Sequence, residues 1–71
     1  MKRIPVVSSM IRSVGYDEPA SFLEIEFRSG KLYRYDDVPQ EVYLELMSAS
    51  SKGRYFEMHI KDAGFGYHRI W

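Results

Sequence analysis

The strongest structural signal in this sequence is a hairpin pattern centred on Gly30. Before the glycine, Leu23, Ile25 and Phe27 alternate with charged residues, which is the pattern of a half-buried antiparallel strand. After it comes a second alternating run, Tyr33-Arg34-Tyr35. Because successive strand residues point to opposite faces, the length of the turn decides whether the tyrosines face the core or the solvent.

Two turns fit this pattern. A two-residue Ser29-Gly30 turn would need a positive φ at Ser29 and would place Arg34 on the apolar face. A three-residue loop over residues 28 to 30 instead puts the glycine at the left-handed position that such a loop requires. We therefore predict the longer loop, with both tyrosines on the core side and an outward ion pair on the other face. The cross-strand pairs of this register are Ile25 with Tyr33, Leu23 with Tyr35, and Glu24 with Arg34 as the ion pair.

One main helix is predicted to follow the hairpin, over residues 39 to 49. Proline is tolerated in its first turn, and its apolar residues recur at spacings of three and four, which is typical of a helix that covers one face of a sheet. Residues 54 to 61 fit both a second short helix and a strand, and we favour the helix. The apolar stripe of the main helix consists of Val42, Tyr43, Leu46 and Met47.

The remaining segments complete a small α+β domain. Residues 9 to 16 have the composition of a strand, and residues 67 to 71 fit a last extended segment. Residues 1 to 8, which contain Pro5, form an extended lead-in. We predict a single domain over residues 9 to 71, with an antiparallel sheet of about three strands packed on the main helix and the shorter helical segment.

The composition limits the functions that such a domain could have. The chain has 71 residues, no cysteine and no net formal charge. It is therefore one domain held by its core alone, without disulfides, thiol nucleophiles or cysteine metal ligands. A chain with no net charge lacks the strong excess of positive charge that is typical of a dedicated nucleic-acid binder. No apolar stretch approaches the roughly 20 residues of a membrane span, and residues 1 to 7 are too short for a signal peptide, so we expect a cytoplasmic protein.

The last quarter of the chain is the best candidate for a binding surface. Over residues 52 to 71 cations interleave with aromatic residues and acids are few, as in surfaces that contact phosphates and stack on unpaired bases. The alternative is that the rings pack in the core and the charges keep the surface solvated. The register predicted above favours this alternative for Tyr33 and Tyr35. The candidate cations are Lys52, Arg54, Lys61, His68 and Arg69, with Arg34 from the hairpin, and the candidate stacking rings are Tyr33, Tyr35, Tyr67 and Trp71.

A series of short motifs follows along the chain in a fixed order. They are Ser9-Met10-Ile11, Val14-Gly15-Tyr16-Asp17, Leu23 to Phe27, Gly30, the Tyr33-Arg34-Tyr35 motif, Val38-Pro39, Val42-Tyr43, Ala49, Ser51, Gly53, Tyr55-Phe56 and Ile60. Their order and spacing resemble the KTSC domain family over roughly residues 9 to 70. This resemblance implies a short domain that occurs as single-domain bacterial proteins and at the C-terminus of some lysyl-tRNA synthetases, and that has been suggested to bind RNA. The family pattern often has Asn after the Tyr-Phe pair, where this chain has Glu57.

No catalytic signature is visible in the sequence. The serines cluster in turns, neither histidine has a partner motif, and Glu57, His59 and His68 are a weak metal-ligand set. We therefore expect neither a cofactor nor enzymatic activity. The sequence leaves two hypotheses, an RNA-binding module, with tRNA as its candidate ligand, or a protein-interaction module that docks a partner through an exposed strand edge or the aromatic C-terminus.

Overall fold

The computed structural model describes residues 2–71. A five-stranded sheet is formed by β1 (Arg3–Pro5), β2 (Ile11–Asp17), β3 (Phe22–Phe27), β4 (Leu32–Tyr35) and β5 (Tyr67–Arg69). Between β4 and β5 lie α1 (Gln40–Ser48), α2 (Lys52–Phe56) and a π-helical turn (Glu57–Lys61) that continues α2. The strands pair antiparallel in sequence order, β1-β2-β3-β4-β5.

The sheet has two more strands than the three predicted, and both are short edge strands. β1 lies inside the predicted lead-in and pairs with β2, with Ile4 opposite Val14. β5 lies in the predicted last extended segment and pairs with β4. Each has only three residues, which is too short for an alternating pattern to show in the sequence. Pro5 is tolerated because the outer side of an edge strand has no neighbouring strand, so the missing amide hydrogen costs no hydrogen bond there.

The predicted hairpin register is confirmed. Gly30 has a φ of 96°, and its amide donates a hydrogen bond to the Phe27 carbonyl at 2.9 Å. Tyr35 is 4% exposed and Tyr33 is half-buried, both on the face that carries Leu23 and Ile25. The observed pairs are Leu23 with Tyr35, Glu24 with Arg34 and Ile25 with Tyr33.

The predicted ion pair between the side chains of Glu24 and Arg34 is not formed in residues 2–71. Glu24 instead accepts a hydrogen bond from Arg3 at 2.9 Å, because the unforeseen strand β1 brings that arginine to the same outer face. The Arg34 guanidinium lies 4.4 Å from the centre of the Phe22 ring, and its Nε is 3.7 Å from Asp36 Oδ1. On the outer face, Glu24 therefore pairs with Arg3 and Arg34 approaches Asp36, instead of the two pairing with each other.

The helices cover one face of the sheet, and the predicted helical character of residues 54 to 61 is confirmed. Leu46 of α1 is fully buried, and Tyr43 stacks on Tyr16 of β2 with ring centres 4.9 Å apart. Phe56 of α2 and Ile60 of the π turn complete the core from the other helix. The buried core consists of Ile11, Val14, Leu23, Ile25, Tyr35, Val38, Leu46, Phe56 and Ile60.

No helix within residues 2–71 is long and apolar enough to cross a membrane.

Candidate nucleic-acid interface

An open cleft of about 310 Å³ lies at the β4–β5 end of the sheet, on the face that the helices cover elsewhere. Its aromatic walls come from three strands and from α2, and charged residues of the hairpin and the π turn stand at its rim. We refer to it as the aromatic cleft. Its rings are Phe27, Tyr33, Tyr35, Phe56 and Tyr67, and its charged residues are Lys31, Glu57, Lys61 and Asp62.

Strand register brings three tyrosines together in this cleft. Tyr33 and Tyr35 are two residues apart on β4 and so share a face. Tyr67 of β5 pairs with Tyr35, which places its ring on that same face. The ring centres of Tyr33 and Tyr35 are 6.4 Å apart, those of Tyr33 and Tyr67 5.9 Å, and those of Tyr35 and Tyr67 5.5 Å. The ring planes of the three pairs are inclined to each other by 24°, 26° and 32°, so the rings form a compact triangular cluster.

Two phenylalanines hold this group against the core. Phe56 meets Tyr35 edge-on at 5.7 Å and Phe27 at 5.3 Å. Phe27 in turn meets Tyr33 edge-on at 5.9 Å. Edge-to-face contacts at these distances are favourable for aromatic rings. Exposure rises outward from 4% at Tyr35 to 57% at Tyr67, so the inner ring is part of the core and the outer ring is open to solvent.

The floor of the aromatic cleft is uncharged at neutral pH. Burial raises the pKa of Tyr35 to about 12, and the neighbouring Tyr33, Tyr67 and Asp62 contribute in the same direction. The Tyr35 phenol therefore keeps its proton at any physiological pH. At the rim, Lys31 and Lys61 face two carboxylates, so the cleft has no net charge to attract a polyanion and offers mainly an aromatic surface.

Asp36 fixes the strand that carries Tyr67. Its amide donates to the Gly66 carbonyl at 2.7 Å, and its Oδ2 lies 3.0 Å from Nε2 of His68. Both contacts flank Tyr67 in the sequence, so they hold the ring opposite Tyr35. A Cβ on Gly66 would lie 3.6 Å from Asp36 Oδ2, in ordinary van der Waals contact. In the sequence Asp36 is only one member of an acidic stretch near a helix start, which gives no signal of this role.

The structure separates the predicted binding residues into three places. Tyr33, Tyr35, Tyr67 and Lys61 meet in the aromatic cleft, and Arg69 pairs with Tyr33 beside it. Arg34 and His68 pair with each other on the opposite face of the sheet, where both approach Asp36. Trp71 is 78% exposed, and its carbonyl accepts a hydrogen bond from Arg69 Nε at 3.0 Å. The two remaining cations, Lys52 and Arg54, belong to α2.

Lys52 and Arg54 line a second open cleft, of about 350 Å³, between the start of α2 and the segment before β2. We refer to it as the serine cleft. The two segments meet closely, because a Cβ on Gly53 would lie 3.4 Å from two carbons of Met10. Sequence reasoning missed this cleft, although the paired Ser-Ser steps at residues 8 to 9 and 50 to 51 were a signal for it. Its polar side chains are Ser8, Ser9, Ser50, Ser51, Lys52, Arg54 and Glu57.

Within residues 2–71, no serine of the serine cleft is hydrogen-bonded to a side-chain base. A nucleophile needs an adjacent base that is itself oriented, and the hydrogen bonds of the cleft serines are to backbone amides. In the part of the chain that the structure describes, no three His, Asp or Glu residues are placed to hold a metal ion. The arrangement suits the binding of a flat ring and of hydrogen-bond acceptors.

Comparison with known proteins identifies the family. The KTSC domain model matches residues 7–65. An uncharacterised protein of Stutzerimonas stutzeri is 49% identical over 70 residues, covering 99% of both chains. A lysine–tRNA ligase of Nostoc sp. is 43% identical over 62 residues, which are 87% of this chain and 11% of the ligase. The crystal structure of a KTSC domain protein from Yersinia pestis has a TM-score of 0.91 and 41% identity, covering 99% of this chain and 97% of that one. The chain therefore belongs to the KTSC domain family, as its residues 9 to 70 indicated.

Proposed function

We propose that this domain is a non-enzymatic RNA-binding module of the cytoplasm that holds an unpaired base of its RNA, such as a tRNA, in the aromatic cleft. The observation that carries the proposal is the cluster formed by Tyr33, Tyr35 and Tyr67, in which Tyr67 is 57% exposed. An unpaired base can stack on this exposed ring. Stacking of this kind contributes about 1–3 kcal/mol per base.

The dimensions of the aromatic cleft support a single base. Binding sites for drug-sized molecules have volumes of roughly 300 to 1,000 Å³, and the cleft, at about 310 Å³, is at the small end of this range. The bases of a duplex are already stacked and are not available to the cleft. The preferred targets are therefore loops, bulges and strand ends, which are abundant in tRNA.

The charge distribution supports a binder that depends on stacking. Lys31 and Lys61 at the rim and Arg69 beside Tyr33 are within the same region as the rings and can contact phosphates. The chain as a whole carries no net charge, so long-range attraction to RNA is weak. Affinity from one domain alone is then modest, which suits an accessory module next to a larger RNA-binding surface.

The relatives support tRNA as the class of RNA. The lysine–tRNA ligase of Nostoc sp. contains a segment that is 43% identical to 87% of this chain. A module attached to an enzyme that acts on tRNA gains affinity through linkage, since its own binding step becomes intramolecular. The Stutzerimonas stutzeri relative consists almost entirely of the region that this chain matches, which is 99% of its length.

A tRNA titration tests the proposal. Fluorescently labelled tRNA is titrated with the wild type, Tyr67→Ala and Tyr67→Phe at about 50 and 200 mM salt, a range over which phosphate contacts weaken measurably. Loss of the ring is expected to weaken binding roughly 5- to 150-fold, the equivalent of about 1–3 kcal/mol, whereas Tyr67→Phe retains the ring and binds like the wild type. Higher salt weakens wild-type binding several-fold through counterion release. Absence of wild-type binding at the lower salt concentration would refute the proposal.

Protein docking is the second candidate, and the exposed edge of the sheet favours it. β5 has a neighbour on one side only, and its surroundings expose Tyr67, Ile70 and Trp71. An extended partner strand could pair with this edge. The titration distinguishes the two candidates, because docking through apolar side chains responds little to salt and does not need RNA.

A further inference from the structure

The serine cleft has more hydrogen-bond donors than acceptors. Ser8 Oγ accepts from the amides of Met10 and Ile11, at 3.2 and 3.1 Å, and Ser51 Oγ accepts from the amide of Arg54 at 3.3 Å. A hydroxyl has one donor hydrogen and two acceptor lone pairs. These contacts use both lone pairs of Ser8 Oγ and one of Ser51 Oγ, and within residues 2–71 the hydroxyl hydrogens of Ser8 and Ser51 have no acceptor.

The two cations of the serine cleft add to this surplus. Lys52 Nζ, with three hydrogens, makes one hydrogen bond, to the Ala49 carbonyl at 3.0 Å. The Arg54 guanidinium is exposed and makes no side-chain hydrogen bond or ion pair with any residue from 2 to 71. The one acidic side chain in the lining is Glu57. A phosphate is negatively charged and rich in acceptors, and so fits this set of donors.

The serine cleft and the aromatic cleft share a wall. Met10 and Glu57 line both, so a ligand can lie across the wall with one part in each. The aromatic cleft suits a flat ring and the serine cleft suits a phosphate, and a nucleotide strand carries these two groups next to each other. Glu57 repels a phosphate from the wall itself and so directs it toward Lys52 and Arg54.

We propose that the serine cleft binds a phosphodiester of the same RNA strand whose unpaired base occupies the aromatic cleft, with Arg54 as the main cationic contact and Lys52, Ser8 and Ser51 as further donors. This inference rests on the function proposed above. It adds a phosphate subsite on α2 and makes the bound ligand a single-stranded segment that crosses the Met10–Glu57 wall.

Arg54→Gln tests the subsite, with Arg12→Gln as its matched control. Both arginines are exposed, and both changes remove one positive charge, but Arg12 lines neither cleft. Each variant is titrated with an unstructured RNA of about 8 nucleotides between roughly 50 and 200 mM salt. Arg54→Gln is expected to weaken binding roughly five- to tenfold at the lower salt concentration and to reduce the log–log salt slope by about 0.7, the value for one phosphate contact of a single strand. Arg12→Gln is expected to keep the affinity within about twofold, and the salt slope within about 0.2, of the wild-type values.

Two further ligands separate the sources of the phosphate and of the stacking. The same short RNA with abasic sites keeps its sensitivity to Arg54→Gln and loses its sensitivity to Tyr67→Ala, because only the phosphates remain. A free nucleoside monophosphate, which lacks the continuing strand, binds at least tenfold more weakly than the short RNA. A mononucleotide that binds as tightly as the strand would show that the site takes free nucleotides and would overturn the inference.

The outcomes also separate this inference from the proposed function. If the wild type binds RNA and Tyr67→Ala weakens it, but Arg54→Gln and Arg12→Gln are equivalent, the phosphate subsite is refuted and the stacking site stands. If the wild type binds no RNA at low salt, both fail. Folding of each variant is checked by its thermal unfolding midpoint, and Lys52→Gln provides a second variant of the same cleft, expected to weaken binding less than Arg54→Gln because Lys52 is partly engaged by Ala49.

Discussion

Two tyrosine clusters on the same face of the sheet are used in opposite ways. At the covered end, Tyr16 stacks on Tyr43 of α1 with ring planes 10° apart, and its hydroxyl donates to the Val38 carbonyl at 2.6 Å. At the open end, Tyr33 and Tyr67 stack at 5.9 Å, and Tyr67 is 57% exposed. The residue type and the ring packing are alike, so the difference lies in the cover. At the covered end α1 supplies a ring that completes the stack, so the cluster is part of the core. At the open end the outer ring has no such partner, so a ligand can stack on it.

The largest expected difference between the clusters is in stability. Tyr16→Ala removes the stack on Tyr43 and leaves the Val38 carbonyl without its donor, at a cost of about 3 kcal/mol. Tyr67→Ala removes a ring that is 57% exposed and is expected to cost under about 1 kcal/mol. Urea unfolding of both variants measures the difference. Equal losses would mean that Tyr67 is a core residue and would remove the basis for a ligand-binding ring.

The turn at Gly30 sets the geometry of the open end, and its replacement is expected to cost about 1–2 kcal/mol. Gly30 has a φ of 96°, and a Cβ added there would have no atom within 4 Å. Gly30→Ala therefore destabilises the fold through backbone strain and not through a steric clash. Gly53→Ala is the contrasting variant, because there the new Cβ meets Met10 at 3.4 Å without a positive φ. We expect Gly30→Ala to perturb the NMR signals of Tyr33 and Tyr35, and Gly53→Ala to perturb those near the serine cleft.

Removal of the Asp36 carboxylate is expected to have a smaller, local effect on the open end. Asp36→Ala deletes the contacts with His68 and Arg34 while the backbone bond to Gly66 remains, so global stability falls by about 1 kcal/mol or less. The amides of β5 should exchange with solvent several-fold faster, since β5 is an edge strand. Hydrogen exchange measured by NMR, with Glu41→Ala as the control at an exposed acid, checks this. Unchanged exchange in β5 would show that backbone pairing alone holds Tyr67.

The sequence was sufficient to predict the register of the open end because local chemistry decided it. The glycine before Tyr33 and the alternation from Leu23 to Phe27 permitted one loop that kept Arg34 out of the core, and the structure has that loop. The main helix followed from periodicity in the same way, whereas the periodicity of residues 54 to 61 fitted both a helix and a strand. Both predictions depend on residues that are close together in the chain, where secondary-structure propensity and hydrophobic periodicity indicate the local structure.

The clefts could not be predicted because they depend on contacts between distant segments. Tyr67 reaches Tyr35 through a three-residue strand that follows the glycine-containing connection over residues 63 to 66, and no pattern in the sequence fixes that pairing. The serine cleft likewise depends on the approach of Gly53 to Met10. The residues of the predicted basic surface are close together in the sequence but not in the structure. Neighbouring residues of β5 point to opposite faces of the sheet, so His68 and Arg69 lie on different faces.

The smallest expected effect at neutral pH is that of Tyr35→Phe, which separates the buried ring from its hydroxyl. The pKa of Tyr35 is about 12 in the folded protein, raised mainly by burial from the ordinary value of 10.0. The folded state therefore holds the phenol proton more tightly than the unfolded state does. The resulting stabilisation is complete below about pH 10 and is lost as the pH rises from about 10 to about 12. Tyr35→Phe should match the wild type within about 0.5 kcal/mol near neutral pH and lose less stability over this alkaline range, as measured by urea midpoints at about pH 7, 10 and 11.5. An identical alkaline loss in both proteins would show that the Tyr35 hydroxyl lies in contact with water, and the innermost ring of the open end would then belong to its surface.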